Sequence, residues 1–115
     1  MKFSESLKKN EQFREVYKKG KSLANKYLVV YVLENNQERN YLGISVSKKV
    51  GNSVVRHRVK RLIRESHRLT RHQIADGYDI VVIARNEAAN RNYHDIERAF
   101  LHLAAMHRIK KKETV

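Results

Sequence analysis

Hydrophobic residues recur along this chain with two periods, one typical of strands and one typical of helices. Alternating or continuous apolar runs predict three strands, and apolar residues spaced three to four apart predict three helices. The predicted strands are 27–33, 41–47 and 79–85, and the predicted helices are 11–19, 53–71 and Tyr93 to about Lys110. The resulting order predicts a small sheet with helices packed on it.

Polar residues and glycines mark several boundaries of these elements. Asn10 is a candidate N-cap and Gly20 a candidate stop for the first helix, and Asn92 is a candidate N-cap for the last. Asp76-Gly77 predicts a turn before the third strand. A further short strand near Ala24–Asn25 is left open.

The strand faces differ in chemistry. Successive side chains of a strand point to opposite faces, so each strand presents an aliphatic row and a second row. The aliphatic rows, expected to face the core, are Leu28, Val30 and Val32 with Leu42, Ile44 and Val46. The opposite rows hold Tyr27, Val29, Tyr31 and Leu33 with Gly43, Ser45 and Ser47. Phe13 and Tyr17 of the first helix could wall a shallow cleft on this second face, or these aromatics simply pack under that helix.

The second helix is predicted to be amphipathic at about 100° per residue. Its expected apolar stripe consists of Val55, Val59, Leu62, Ser66 and Leu69, with Ile63 at the edge. The opposite side gathers Arg56, Lys60, Arg61, Arg64, Arg68 and Arg71, with His57 and His67 among them and Arg58 nearer the stripe. Glu65 is its only acid. A merely solvated face usually mixes both signs, so this one favours a phosphate-bearing partner.

The whole chain is basic, which supports the same interpretation. It has 25 Lys and Arg against 12 Asp and Glu, a net charge of +13, which predicts attraction to polyanions. Lys48, Lys49 and the Gly51-Asn52 turn place further donors before the second helix. Membrane binding is disfavoured, because the apolar residues of that helix have ordinary core spacing. DNA stays open, while a tyrosine-bearing sheet face favours unpaired bases, as in RNA.

The sequence shows no catalytic or metal-binding constellation. It has no cysteine, which excludes disulfides, thiolate zinc sites and cysteine nucleophiles and is compatible with the cytosol. The six histidines form no metal-binding pattern, and no paired carboxylates or glycine-rich phosphate loop are visible. We see no secretory signal and no apolar run of about 20 residues. The chain therefore indicates a single binding domain, cytoplasmic and without a membrane partner.

Several segments together resemble one known family. The stretch 48–65, KKVGNSVVRHRVKRLIRE, closely resembles the motif region of the bacterial ribonuclease P protein subunit. Residues 8–17, 45–49 and 79–85 also match the pattern of that family, in the same order. The resemblance covers the chain and agrees with its length and basicity.

The resemblance implies an α+β fold and a role in tRNA maturation. The fold would be one domain over 1–115, with a four-stranded sheet, three helices and an unusual left-handed βαβ crossover, like the second domain of ribosomal protein S5. We expect residues 1–6 and 110–115 to be flexible. The protein would join a catalytic RNA, one protein per RNA, in an endoribonuclease that removes the 5′ leader of precursor tRNA. The RNA and its Mg²⁺ ions would do the chemistry, and the protein alone would have no catalytic or metal-binding residue.

The resemblance also assigns two surfaces. Residues expected to bind the catalytic RNA are Lys48, Lys49, Asn52, Arg56, His57, Arg58, Lys60, Arg61 and Arg64, with Arg68 added by helical position. Residues expected to hold the leader are Phe13, Tyr17 and Tyr31, with Tyr27 added by its strand face. The family motif commonly has Arg-Asn-Arg where this chain has His57 in the middle, which leaves that contact open. On charge alone, the alternative is a ribosome-associated or general RNA-binding protein.

Overall fold

The computed structural model describes residues 5–7 and 9–111 and has the predicted helices and strands in the predicted order, with two further strands. The helices are α1 (Asn10–Lys19), α2 (Ser53–Thr70) and α3 (Tyr93–Met106). The strands are β1 (Glu5–Ser6), β2 (Lys21–Ala24), β3 (Leu28–Glu34), β4 (Tyr41–Ser45) and β5 (Tyr78–Ala84). Short 3-10 turns lie at Arg71–Gln73 and Asn86–Ala88. The α+β class is confirmed.

The strands form one mixed sheet in the order β1-β4-β5-β3-β2. Four strands of four to seven residues make its body, as expected, and the two-residue β1 extends the edge beside β4. β2, the strand left open by the sequence, pairs antiparallel with β3. β4 and β5 are parallel neighbours joined through α2, which makes the expected βαβ unit. The left-handedness of this crossover connection stays a prediction.

The helices cover both faces of the sheet. α2 and α3 pack on the face that carries Leu28, Val30 and Val32, where Ile63 and Phe100 complete the larger core. α1 packs on the opposite face, around Val16 and Val81. The predicted alternation of β3 is therefore confirmed, and the second face is partly covered by a single helix.

Hydrogen bonds of backbone N–H groups define both ends of α1. The helix begins one residue earlier than predicted: the N-cap is Lys9, not Asn10, and the Lys9 backbone N–H donates to Gln12 Oε1 at 3.1 Å. Gly20 ends it as predicted, with its N–H donating to the Val16 carbonyl at 2.8 Å. A Cβ at Gly20 would lie 2.5 Å from that oxygen, so a larger residue would force the chain to move.

The last helix ends earlier than the sequence predicted. Asn92 caps its start, accepting from the Asp95 N–H at 2.9 Å, but α3 stops at Met106 rather than near Lys110. Arg108 takes a positive φ of 61°, which turns the chain back and buries Ile109 in the larger core. Lys110 then forms a β-bridge with Ile74. The flexibility expected for both ends stays a prediction, and residues 1–4 and 112–115 lie outside the described residues.

Candidate nucleic-acid interface

Three aromatic rings meet where α1 crosses the sheet. Phe13 and Tyr17 lie one turn apart on α1, with ring centroids 6.3 Å apart. The ring of Tyr17 stands edge-on to Tyr31 of β3 at 5.0 Å. Tyr17 is 39% exposed, so part of its surface remains open to a ligand. We call this group, Phe13, Tyr17 and Tyr31, the aromatic cleft.

A glycine in β4 lets α1 sit this close to the sheet. A Cβ at Gly43 would lie 2.7 Å from two carbons of the Phe13 ring and 3.2 Å from Leu7 Cδ1. Contacts below 3.0 Å are not tolerated without movement, so a side chain here would displace the ring. The sequence placed Gly43 on the tyrosine-bearing face, but only the packing of Phe13 shows why it is glycine.

Tyr17 connects the aromatic cleft to the end of β4. Burial raises the pKa of Tyr17, and the nearby Ser45 side chain opposes this rise without cancelling it. Ser45 is the last residue of β4, and the exposed turn with Lys48 and Lys49 follows directly. The strand that borders the cleft is therefore followed along the chain by this turn and by α2.

Tyr27 does not lie in this cleft, although its predicted strand face placed it there. It precedes β3, where the Asn25 side chain accepts hydrogen bonds from the backbone N–H groups of Tyr27 and Leu28. Its ring packs against the larger core, with the Arg91 guanidinium over it at 5.4 Å. The predicted strand begins one residue too early, because the turn formed by Asn25 keeps Tyr27 out of the strand.

The outer side of α2 is predominantly basic, with Glu65 as the one acid of the helix. His57, Arg61, Arg64 and Arg68 are exposed, and Arg56 and Lys60 flank them half-buried. Lys48 and Lys49 are exposed just before the helix. We call these residues the basic face: Lys48, Lys49, Arg56, His57, Lys60, Arg61, Arg64 and Arg68. The first turn of α2 holds no acidic residue to offset them.

The buried side of α2 is rotated relative to the prediction. Ile63, expected at the edge of the stripe, is fully buried, whereas Leu69, expected within it, is 47% exposed. His67, expected among the cations, is buried with its ring edge-on to Phe100 at 6.0 Å. Burial, and to a lesser extent the nearby Arg71 charge, lowers the pKa of His67 to about 4. His67 is thus a neutral core residue.

Comparison with known proteins identifies the family. A family model described as Ribonuclease P matches residues 1–109. The chain belongs to the ribonuclease P protein family. A protein named ribonuclease P protein component from Lachnoclostridium phytofermentans is 59% identical over 106 residues, covering 92% of this chain and 91% of its own. One of the same name from Alkaliphilus oremlandii is 54% identical, covering 90% of each chain.

Solved structures of the ribonuclease P protein family agree with this fold. The ribonuclease P protein of Staphylococcus aureus superposes with a TM-score of 0.84 at 39% identity, covering 92% of this chain and 97% of its own. That of Thermotoga maritima superposes with a TM-score of 0.83 at 33% identity, covering 93% and 99%. The chain is therefore a subunit of the ribonuclease P holoenzyme, an RNA-containing endoribonuclease of tRNA processing.

Three residues that the sequence analysis assigned to RNA also have partners inside the protein. The Asn52 side chain accepts from the Val55 N–H at 3.0 Å and so caps α2. Arg58 donates to the backbone carbonyls of Ala89 and Arg91, which ties α2 to the start of α3. Arg68 pairs with Glu65 at 2.7 Å. Their RNA contacts stay predictions, and we therefore keep Asn52 and Arg58 outside the basic face.

Two further observations concern membranes and metals. No helix within the described ranges is long and apolar enough to cross a membrane. Over the same residues, no three or more histidine, aspartate or glutamate side chains come together as a metal-binding group.

Proposed function

We propose that the basic face binds the catalytic RNA of ribonuclease P and that the aromatic cleft holds the single-stranded 5′ leader of precursor tRNA. The chain thereby assists the endonucleolytic cut that removes the leader and leaves the mature 5′ end. One protein joins each RNA.

The contact between Tyr17 and Ser45 is the observation that carries this proposal. It joins the cleft to the end of β4, and the Lys48-Lys49 turn and α2 follow within a few residues. We therefore expect a strand stacked on the cleft rings to pass toward the Lys48-Lys49 turn that precedes α2. Stacking on aromatic rings is how proteins hold unpaired bases without strong sequence preference, which suits leaders of varied sequence.

The electrostatics of α2 support a phosphate-rich partner. Arg56, Lys60, Arg64 and Arg68 follow one another at four-residue intervals, and like charges at this spacing repel. Cations near a helix N-terminus are also unfavourable against the helix dipole. RNA phosphates would offset both effects, and arginine forks can bind them bidentately.

We assign the Mg²⁺ of the reaction to the RNA. The described residues gather no set of carboxylate ligands of the kind that Mg²⁺ uses in proteins. Bound to RNA, Mg²⁺ would supply the charge stabilisation of the hydrolysis. The side chains of this chain bind and orient RNA, and no step of the chemistry is assigned to them.

Reconstitution tests the proposal. The purified chain is mixed with a ribonuclease P RNA and precursor tRNA at low Mg²⁺, and the rate of 5′ cleavage is compared with that of RNA alone. We expect a faster reaction, retained by Arg39→Gln in the loop after β3 and reduced by Arg61→Gln on the basic face.

Two results would overturn the proposal. The absence of any stimulation, with binding to ribosomal RNA instead, would favour a general RNA-binding protein. Efficient cleavage by a preparation free of RNA would place the chemistry in the protein.

A further inference from the structure

A notch lies between α3 and the turn that precedes β3, on the sheet face opposite the aromatic cleft. Its volume is about 420 Å³, within the range of small-ligand sites. It is lined by Asn25, Lys26, Tyr27, Asp95, Arg98, Ala99 and His102. We call it the α3 notch.

The Asn25 side chain fixes the shape of the notch. Its Oδ1 accepts from the backbone N–H groups of Tyr27 and Leu28 at 3.2 and 3.0 Å. Its Nδ2 must therefore be the donor toward the Ala99 carbonyl at 2.9 Å and toward His102 Nδ1 at 3.3 Å. His102 Nδ1 then accepts, which leaves the imidazole proton on Nε2. The notch is thus preformed and carries an additional N–H donor.

Basic side chains lie in and around the notch. Arg58 donates to the Arg91 carbonyl, and the Arg91 guanidinium lies over the Tyr27 ring at 5.4 Å. Lys26 Nζ lies 5.9 Å from the centroid of the same ring, and Arg98 is exposed on the facing side of α3. A planar group with two neighbouring cations suits a base and its phosphate.

We propose that the α3 notch is a second RNA-binding site, which holds a nucleotide of single-stranded RNA outside both the aromatic cleft and the basic face. The phosphate lies against Lys26 and Arg98, and the base lies against the Tyr27 ring, which lines the notch. Asp95 supplies an acceptor for base N–H groups, whereas it would repel the carboxylates of an acidic peptide. This site does not depend on the assignment of the aromatic cleft to the leader.

Titration of the full chain with a cytidine pentanucleotide, followed by NMR, tests the site. We expect the signals of Tyr27, Arg98 and His102 to shift together on binding. In Arg98→Gln, the salt dependence of binding at these signals should fall by about 0.7 in the slope of log K against log salt, the value for one phosphate contact on a single strand. Arg39→Gln removes the same charge at the opposite end of β3 and should leave that slope unchanged.

The outcomes separate this site from the cleft. Shifts of Tyr31 without shifts of the notch residues would overturn the notch. Shifts at the notch with a glutamate pentapeptide but not with RNA would overturn it as well, in favour of an acidic protein partner. Shifts at the notch without shifts of Tyr31 would support the notch and contradict the proposed leader cleft.

Discussion

At the scale of single residues, His67 makes the stability of the fold depend on pH. Its ring is buried beside Phe100, and its pKa is about 4 instead of the ordinary 6.5. The unfolded chain therefore takes up a proton at this residue at a higher pH than the folded chain does. The contribution of neutral His67 is complete above pH 6.5 and is lost as the pH falls toward 4.

We expect His67→Gln to flatten the dependence of stability on pH. Between pH 7 and pH 5 the histidine should cost the parent chain about 2 kcal/mol of unfolding free energy, a loss that glutamine cannot show. Burial also lowers the pKa of His107, with the same sign, but that residue is present in both proteins. Urea unfolding at the two pH values measures the difference, and equal losses in both proteins would contradict the assignment.

Gly43 is a second residue whose identity is explained by packing. A Cβ there would meet the Phe13 ring at 2.7 Å, so we expect Gly43→Ala to cost about 1–3 kcal/mol of stability, as overpacking does. Adding Phe13→Leu should recover part of this loss, because the two sites are in contact. Urea unfolding of the four proteins of this cycle measures the coupling, and strictly additive losses would show that the clash is not the cause.

At the scale of elements, α2 carries cations with two different roles. Arg58 is structural, whereas Arg61 is expected to bind RNA. Arg58 holds two backbone carbonyls near the start of α3, whereas Arg61 is exposed. Arg58→Gln should lower the unfolding free energy by about 1.5–3 kcal/mol. Arg61→Gln should change it by less than about 0.5 kcal/mol and mainly weaken RNA binding. Urea unfolding and RNA affinity, measured on both variants, test this, and equal stability would contradict the structural role of Arg58.

The sequence predicts these elements well where the local spacing of apolar residues determines them. The three helices and the alternation of β3 follow from apolar spacing, and Phe13, Tyr17 and Tyr31 meet because of it. The rotation of α2 did not follow, because α2 packs against α3 as well as the sheet, and that second contact buries His67. The end of α3 depends on a positive φ at Arg108, which no glycine marks in the sequence. Gly43 and Ser45 were placed on the correct face, but their partners come from α1.

At the scale of the whole molecule, one junction joins the two proposed surfaces. α1 covers one face of the sheet and α2 the other, and the chain passes between them from Ser45 to Asn52. In the proposed function, the leader and the catalytic RNA would thus be held by different side chains of one domain. Substitutions on the two surfaces should therefore affect the binding of different RNAs.

Tyr31→Ala and Arg64→Gln test this separation. Tyr31→Ala should weaken binding of precursor tRNA with a leader by about 1–3 kcal/mol, the value of one base stack, and leave leaderless tRNA nearly unaffected. Arg64→Gln should weaken the binding of the catalytic RNA itself and lower its salt slope by about 0.7–0.9, whichever tRNA is present. Affinities of the holoenzyme for both tRNAs measure the first effect, and the affinity of the protein for the catalytic RNA at several salt concentrations measures the second. If Tyr31→Ala weakened leaderless tRNA equally, the ring would act through the fold rather than through the leader, since leaderless tRNA has no base to stack on it.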